Sequence, residues 1–482
     1  MKKLFSLCCF GLLSVLCALV LLSCGAKTMK KDASAMPVLK AHFIGAPPAD
    51  LSLVQSKINE YTKEKLGLTV DIVFTDFGDF DQKTQMIINS GELYDIVFTC
   101  AWANDYLTNA HKGSFLNLSP YLATKEFKAL NDVVDSGFWN GAKVDGNIYA
   151  IPTQKEIAIM PMYMFNAEFV KESGFDIASV KTLADTETYL QYVKKSHPEA
   201  IPFKLYSDRA WRGSFDYILG FDYPIAVDTD GKVKYMYDIP DVMNYAKTVR
   251  NFFKKGYINN DAVTTTGTNK LGDVFGLSFA DGQPYAETTW SNECGFAIVT
   301  AEASKPLVTT STTRGAMLAI NKNSKNPEAA LSFLQAVNTD SYLHNLLNYG
   351  VEDVHYKKIG ANAIERTEQG IGKYLVPTFA LGNLFNTYTL KGEPEDKWAV
   401  FKKENDSAQR SPLLGLDIDT TNIKNQLAVI SNLRIQYEPL IQTGSVDVET
   451  KSAEFKKKLE EVGLSTVLAE IQSQIDAFLA KK

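Results

Sequence analysis

The chain is poor in the residues from which most active sites are assembled. Its five histidines, His42, His111, His197, His344 and His355, share no metal-ligand spacing. No H-E-x-x-H, G-x-S-x-G, phosphate-binding glycine loop or paired C-x-x-C is present. Zinc-, serine- and nucleotide-dependent catalysis therefore lack a local signature, and no catalytic residue, metal or cofactor is expected. Cysteine is scarce where it could matter: Cys8, Cys9, Cys17 and Cys24 crowd the first residues, leaving only Cys100 and Cys294. Two buried thiols are the expected state of that pair, with a disulfide the alternative. Basic clusters are missing outside the first 37 residues, and 50 Lys and Arg face 56 Asp and Glu. That acidic balance argues against nucleic acid as a partner.

What is present begins with Lys2 and Lys3 and an apolar run from Leu4 to Leu22, the layout of an export signal. The run nears the length needed to span a bilayer. However, Leu21-Leu22-Ser23-Cys24-Gly25 resembles the lipobox of bacterial lipoproteins, in which the cysteine carries acyl chains such as palmitate and becomes the mature N-terminus. Residues 1–23 are then a signal peptide. Residues 24–37 are the lipid anchor and a flexible tether, and the protein is exported and membrane-held, facing the periplasm or the cell exterior. Loss of Lys2 and Lys3 moves the formal charge from −6 to −8. The remainder has 45% hydrophobic and 22% charged residues, an ordinary globular composition. It is too long for one core, so two lobes are expected.

Hydrophobic periodicity orders the N-terminal part as strand, helix, strand, helix, strand. Val38–Ile44 reads as a strand, and Asp50 as the cap of a helix whose Leu51, Val54, Ile58 and Tyr61 share a face. Leu68–Phe74 alternates, a helix follows over 79–89, and Tyr94–Thr99 is a third strand. Such an order builds a parallel sheet whose ligand crevice lies beyond the C-terminal strand ends. Asp145-Gly146 marks a hairpin turn. Arg314–Ile320 reads as a strand, Asn326-Pro327-Glu328 as a helix start, and 448–479 as helix broken near Gly463.

The stretch Ser90–Val97, the crossover Gly146-Asn147-Ile148-Tyr149-Ala150-Ile151-Pro152 and the return Ala319–Ala330 together resemble the bacterial extracellular solute-binding lipoproteins of the carbohydrate-importing group. The C-terminal part from Ser411-Pro412-Leu413-Leu414-Gly415 is similar to the LplA-type subset of that family. The resemblance implies an α/β, two-lobe periplasmic-binding-protein-like fold, with a ligand cleft between lobes joined by hinge crossovers. Lobe 1 would be 38–152 with 309–350, and lobe 2 would be 153–308 with 351–482. It further implies a monomeric subunit that captures a sugar or oligosaccharide by lobe closure and delivers it to an ABC permease, without being an enzyme.

Sugars present C–H faces to aromatic rings and hydroxyls to polar side chains. Trp102 follows the third strand, and the resemblance maps ligand contacts onto Trp102, Asn104 and Asp105; packing under the loop and helix capping are the alternatives. Trp290 is placed by the same resemblance in the cleft, against a core role. Trp211 and Arg212 form a polar loop in which arginine could grip a carboxylate. Lys155 and Glu156 follow the crossover at the hinge floor, and Gly45-Ala46-Pro47-Pro48 faces the crevice by topology. Trp139 and Trp398 read as packing residues. A secreted glycoside hydrolase needs only two carboxylates and no local motif, so it stays open as a rival. A peptide- or amino-acid-binding importer subunit and a surface receptor are the others.

Overall fold

Alternating and continuous apolar runs build a five-stranded and a four-stranded sheet. In chain order their strands are β1 (Val38–Ile44), β2 (Thr69–Thr75), β3 (Ile96–Thr99), β4 (Ala150–Pro152), β5 (Met160–Asn166), β6 (Ile201–Phe203), β7 (Phe275–Gly282), β8 (Ile298–Glu302) and β9 (Met317–Ile320). The computed structural model describes residues 36–158, 160–208, 213–266 and 274–482. Cys24 with the leader, and Trp211 with Arg212, lie outside the described residues.

The first sheet has the order β2-β1-β3-β9-β4, with β1 parallel to β2 and β3, and β9 antiparallel to β3 and β4. Helices Leu51–Leu66 and Phe77–Ser90 form its crossovers. They help bury Leu39, Ala41 and Phe43 on one face of β1 and Ile44 on the other, where His42 is also buried and Lys40 is half-buried. The second sheet runs β8-β5-β7-β6, with β5 antiparallel to both β8 and β7, and β6 parallel to β7. The chain passes from the first sheet to the second after β4 and returns through β9. This is the two-lobe α/β architecture with hinge crossovers that was expected. The hairpin Lys143–Val144 with Asn147–Ile148 turns at Asp145 and Gly146, both at positive φ, as a two-residue turn between twisted strands requires.

The C-terminal third divides differently from the expected boundaries. Residues 351–381 do not join the second lobe: Tyr374, Val376, Ala380 and Leu381 are buried in the core of the first sheet. Asp50, expected to cap its helix, makes no cap bond. Its carboxylate instead accepts a 2.6 Å hydrogen bond from Gln369 Nε2 and lies 3.3 Å from the buried His355 Nε2. From Leu413 onward the chain packs elsewhere. Helices Lys424–Gln442, Val448–Glu461 and Leu464–Leu479 share a core with Ile225, Tyr235 and Val242, and Gly463 at positive φ breaks the last two as expected. A further core on one face of the second sheet gathers Phe165, Leu190, Phe252 and Leu277.

Three segments meet where the lobes join. Asn405 Nδ2 donates to Lys155 O at 2.7 Å, and its Oδ1 accepts from Ile157 N at 2.9 Å, so one side chain holds two backbone groups of the outgoing crossover. The strand Gln409–Arg410 pairs in parallel with Leu307–Val308 of the returning one.

Candidate ligand cleft

The C-terminal ends of β1, β2 and β3 open onto one edge of the first lobe, where a parallel sheet leaves its crevice. Gly45 follows β1, Phe77 follows β2 and Trp102 follows β3. Because β9 runs antiparallel, its leading residues Arg314 and Gly315 arrive at the same edge. The Trp102 indole is 51% exposed although it is tied down: Nε1 donates to Gly315 O at 2.8 Å. Its ring lies nearly parallel to Phe77, with centroids 6.4 Å apart, and tilted to Phe379 at 6.3 Å. Phe77 is itself 48% exposed. Three rings thus make an apolar floor open to solvent, a rare arrangement because water-facing aromatic surface of this size is normally removed by burial.

Phe379 was not singled out from sequence. It reaches the floor because segment 377–381 packs on the first lobe, and Gly45 admits that segment. Gly45 has φ +135°, and a Cβ there would lie 2.7 Å from Pro377 Cδ. A backbone conformation suited to glycine and the close approach of a proline therefore coincide.

Asn104 belongs to the scaffold and not to the ligand surface. It is 2% exposed at φ 46°. Its Nδ2 donates to Phe98 O at 2.9 Å, its Oδ1 accepts from Asn109 Nδ2 at 3.1 Å, and its N–H donates to Asp81 Oδ1 at 2.6 Å. Asparagine tolerates the left-handed conformation that turns this loop, and at 2% exposure its amide lies out of a sugar's reach. Asp105 caps helix Tyr106–His111 by accepting from Thr108 N at 2.6 Å, and it also borders a large groove described below. Lys155 and Glu156 form a half-buried ion pair at the hinge floor. A Cβ on Gly315 would lie 3.6 Å from Lys155 Cε, so the pair adjoins the residue that anchors Trp102.

Trp290 was expected in the cleft and is a core residue. Cross-strand pairs Phe279 with Tyr163 and Asp281 with Pro161 share one face of the second sheet, and the alternate residues Met162 and Gly282 face the other way. Trp290 is 9% exposed and packs on that other face, where a Cβ on Gly282 would meet its ring at 2.7 Å. Trp139 is buried and donates to Asn131 O, and Trp398 donates to Thr387 O at 2.7 Å, both as packing residues. Cys100 and Cys294 are buried thiols in separate cores. Burial raises the Cys100 thiol to about 12.

The face of the second sheet that carries Phe279 and Asp281 borders a second cavity. Phe215, Tyr217, Phe221, Phe279, Asp281 and Lys305 line a cavity of about 60 Å³. The loop that carries the first three aromatics is held by Asp216, whose carboxylate accepts from Ser411 Oγ at 2.5 Å. Burial pushes the Asp216 carboxyl up to about 6 against that hydroxyl's opposing pull. Gly220 and Ser311 are shared with a groove of about 830 Å³ that runs past Ala101, Asp105 and Arg314 to Leu416 and Lys424. Among the described residues no cluster of histidine, cysteine, aspartate or glutamate could hold a metal. An exposed aromatic floor beside the hinge, with hydroxyl-bearing residues along the adjoining groove, suits capture of a polyhydroxylated ligand.

Comparison with known proteins agrees with that geometry. The family described as Bacterial extracellular solute-binding protein matches residues 45–342, and a domain of unknown function (DUF3502) matches residues 412–480. A carbohydrate ABC transporter substrate-binding protein of Streptococcus pneumoniae serotype 4 is 31% identical over 466 residues, covering 94% of this chain and 93% of that protein. The crystal structure of the N-glycan transport solute binding protein NgtS from Streptococcus pneumoniae superposes with a TM-score of 0.86 at 30% identity, over 92% of this chain and 100% of that one. For NgtS in complex with Man5GlcNAc the TM-score is 0.71 at 30% identity, over 92% and 99% of the two chains. In fold and in sequence over most of its length, the chain belongs to the bacterial extracellular solute-binding protein family.

Proposed function

We propose that this protein is the carbohydrate-capturing subunit of an ABC importer, and that its ligand is an oligosaccharide of the mannose and N-acetylglucosamine type. The observation that carries the reading is the solvent-open floor of Phe77, Trp102 and Phe379 at the strand ends. Relatives at about 30% identity support the ligand class: NgtS has been crystallised with Man1GlcNAc and with Man5GlcNAc. One sugar ring stacks on Trp102. Asp105, Lys155 and Glu156 take hydroxyls at the rim, and the second-lobe aromatics close over the other side. Only contacts made in the closed arrangement and absent in the open one drive closure.

The cycle ends with release to a permease, and no bond of the ligand is made or broken. Acyl chains on Cys24 hold the protein at the membrane surface. No helix among the described residues is long and apolar enough to cross a membrane. The test is a thermal-shift screen of the protein from Ala26 onward against Man1GlcNAc, Man5GlcNAc, acidic oligosaccharides and dipeptides. A ligand far above its dissociation constant raises the melting temperature by linkage. A shift with the mannose-containing glycans, and unchanged glycan on chromatography, is expected. A shift with dipeptides alone replaces the reading with a peptide importer, and glycan cleavage replaces it with a hydrolase. Anchoring is checked separately: Cys24→Ser should abolish incorporation of labelled palmitate and release the protein from membranes.

A further inference from the structure

We infer that the C-terminal helical domain, residues 412–480, walls a second carbohydrate subsite that takes the sugar units of an oligosaccharide lying beyond the ring on Trp102. The inference rests on the carbohydrate reading above and assigns a role to a domain that has none. The groove of about 830 Å³ is bounded by the loop after β3, by Tyr223 of the second lobe, and by Leu416, Ile418 and Lys424 of the C-terminal domain. That volume is near the upper end for ligand sites and far exceeds one sugar ring. The groove adjoins the aromatic floor. Ala101 lines it and precedes Trp102, and the two residues are bonded to successive carbonyls of the returning strand, Ala101 N to Arg314 O at 3.0 Å and Trp102 Nε1 to Gly315 O.

The floor of the groove is rigid and already neutralised. Arg314 is buried and donates to both carboxylate oxygens of Asp417 at 2.5 and 2.9 Å, to Gly141 O at 2.7 Å and to Lys143 O at 2.8 Å. Its guanidinium therefore offers nothing to an anionic ligand. The groups that remain unspent are the Ser311, Tyr223 and Thr420 hydroxyls and the Lys424 ammonium, none of which has a hydrogen-bond partner among the described residues. Leu219, Leu416 and Ile418 supply apolar surface between them. Hydroxyls interspersed with aliphatic faces, over a compensated charge pair, match the hydroxyl rims and C–H faces of neutral sugars. The domain thereby sets the length of chain the protein prefers.

Titration calorimetry with Man1GlcNAc and Man5GlcNAc tests this. The native protein should bind Man5GlcNAc at least tenfold more tightly than Man1GlcNAc. Ala428 is an exposed lining residue on helix Lys424–Gln442. Ala428→Trp should fill the groove and bring Man5GlcNAc to within threefold of Man1GlcNAc, with Man1GlcNAc affinity unchanged. Hydrogen exchange should show protection of Leu416–Leu427 by Man5GlcNAc and not by Man1GlcNAc. Equal affinities in the native protein, or a tenfold preference surviving in Ala428→Trp, would overturn the subsite while leaving sugar capture on Trp102 intact. If neither glycan binds, the carbohydrate reading fails first and takes the subsite with it.

Discussion

Replacing Trp102 by alanine removes the ring on which the proposed binding mode depends, and the structure sets the size of the effect. A tryptophan side chain offers about 250 Å² of surface. Half of it is already covered by Phe77, Phe98 and Phe379. A sugar ring lying on the open face covers most of the remainder, about 100 Å². At about 25 cal/mol per Å² this is worth about 2.5 kcal/mol, or about 70-fold in dissociation constant. Trp102→Phe keeps a stacking face but loses the 2.8 Å bond to Gly315 O that fixes the ring. It should lie between the two, within about tenfold of the native protein, since a neutral hydrogen bond contributes about 1 kcal/mol. Titration calorimetry with Man1GlcNAc reads both values, and circular dichroism checks that each variant is folded. An unchanged affinity in a folded Trp102→Ala protein would refute the stacking argument. An equal loss in both variants would move the cause from the face of the ring to its N–H.

Trp290→Ala should do the opposite: it opens a cavity beside Met162 and Gly282, costing about 3 kcal/mol or more in urea unfolding, with glycan affinity unchanged. Asp216 carries a pH signature. Its folded carboxyl, near 6, lies above the ordinary 3.8, so the folded state holds the proton more tightly and its contribution to stability declines as pH rises from about 4 to about 6, then stays constant. Asp216→Asn should gain up to about 3 kcal/mol at pH 7.5 and almost nothing at pH 4, read from unfolding midpoints; a gain independent of pH would show that the carboxylate is not strained by burial. Asp417→Asn leaves the Arg314 guanidinium buried without its counter-charge and should cost about 3 kcal/mol. Arg314→Met in the Asp417→Asn background removes the unpaired charge but leaves Gly141 O and Lys143 O without their donor, so it should recover only part of that loss; a further loss would mean that those two hydrogen bonds outweigh the charge.

The fold was legible where one physical rule acted alone. β1, β2 and β3 follow from apolar periodicity, the Asp145-Gly146 turn from the φ preferences of a tight hairpin, and the break at Gly463 from the need for a left-handed residue. The exposed place of Trp102 beyond β3 was legible for a topological reason, since a loop after a parallel strand lies at the strand's C-terminal end. The failures share a cause, which is competition between tertiary partners. Asp50 has the chemistry of a helix cap, but Gln369 and His355, more than 300 residues away, claim its carboxylate. Asn104 looks like a sugar ligand, yet the loop's own turn consumes its amide. Trp290 could be assigned to the wrong face because strand parity was not known until β5 and β7 were paired. Phe379 carried no signal at all: short 3₁₀ turns have no period, and only the glycine at 45 hinted that another segment approaches there.

The arrangement of the first core has a consequence in time as well as in space. That core extends from Leu39 to Leu381, and the residues between β4 and β9 belong mostly to the second lobe. A chain made or threaded from its N-terminus therefore holds β1, β2 and β3 for some 200 residues before β9 arrives to complete their sheet, and longer before Tyr374 and Leu381 seal it. During that interval the early strands have apolar faces and an unpaired edge, the condition in which chains stay loose, bind chaperones or aggregate. An interrupted lobe is thus a delay: the protein cannot commit to its final shape until nearly four-fifths of it is available, which keeps it in a form that can still be threaded.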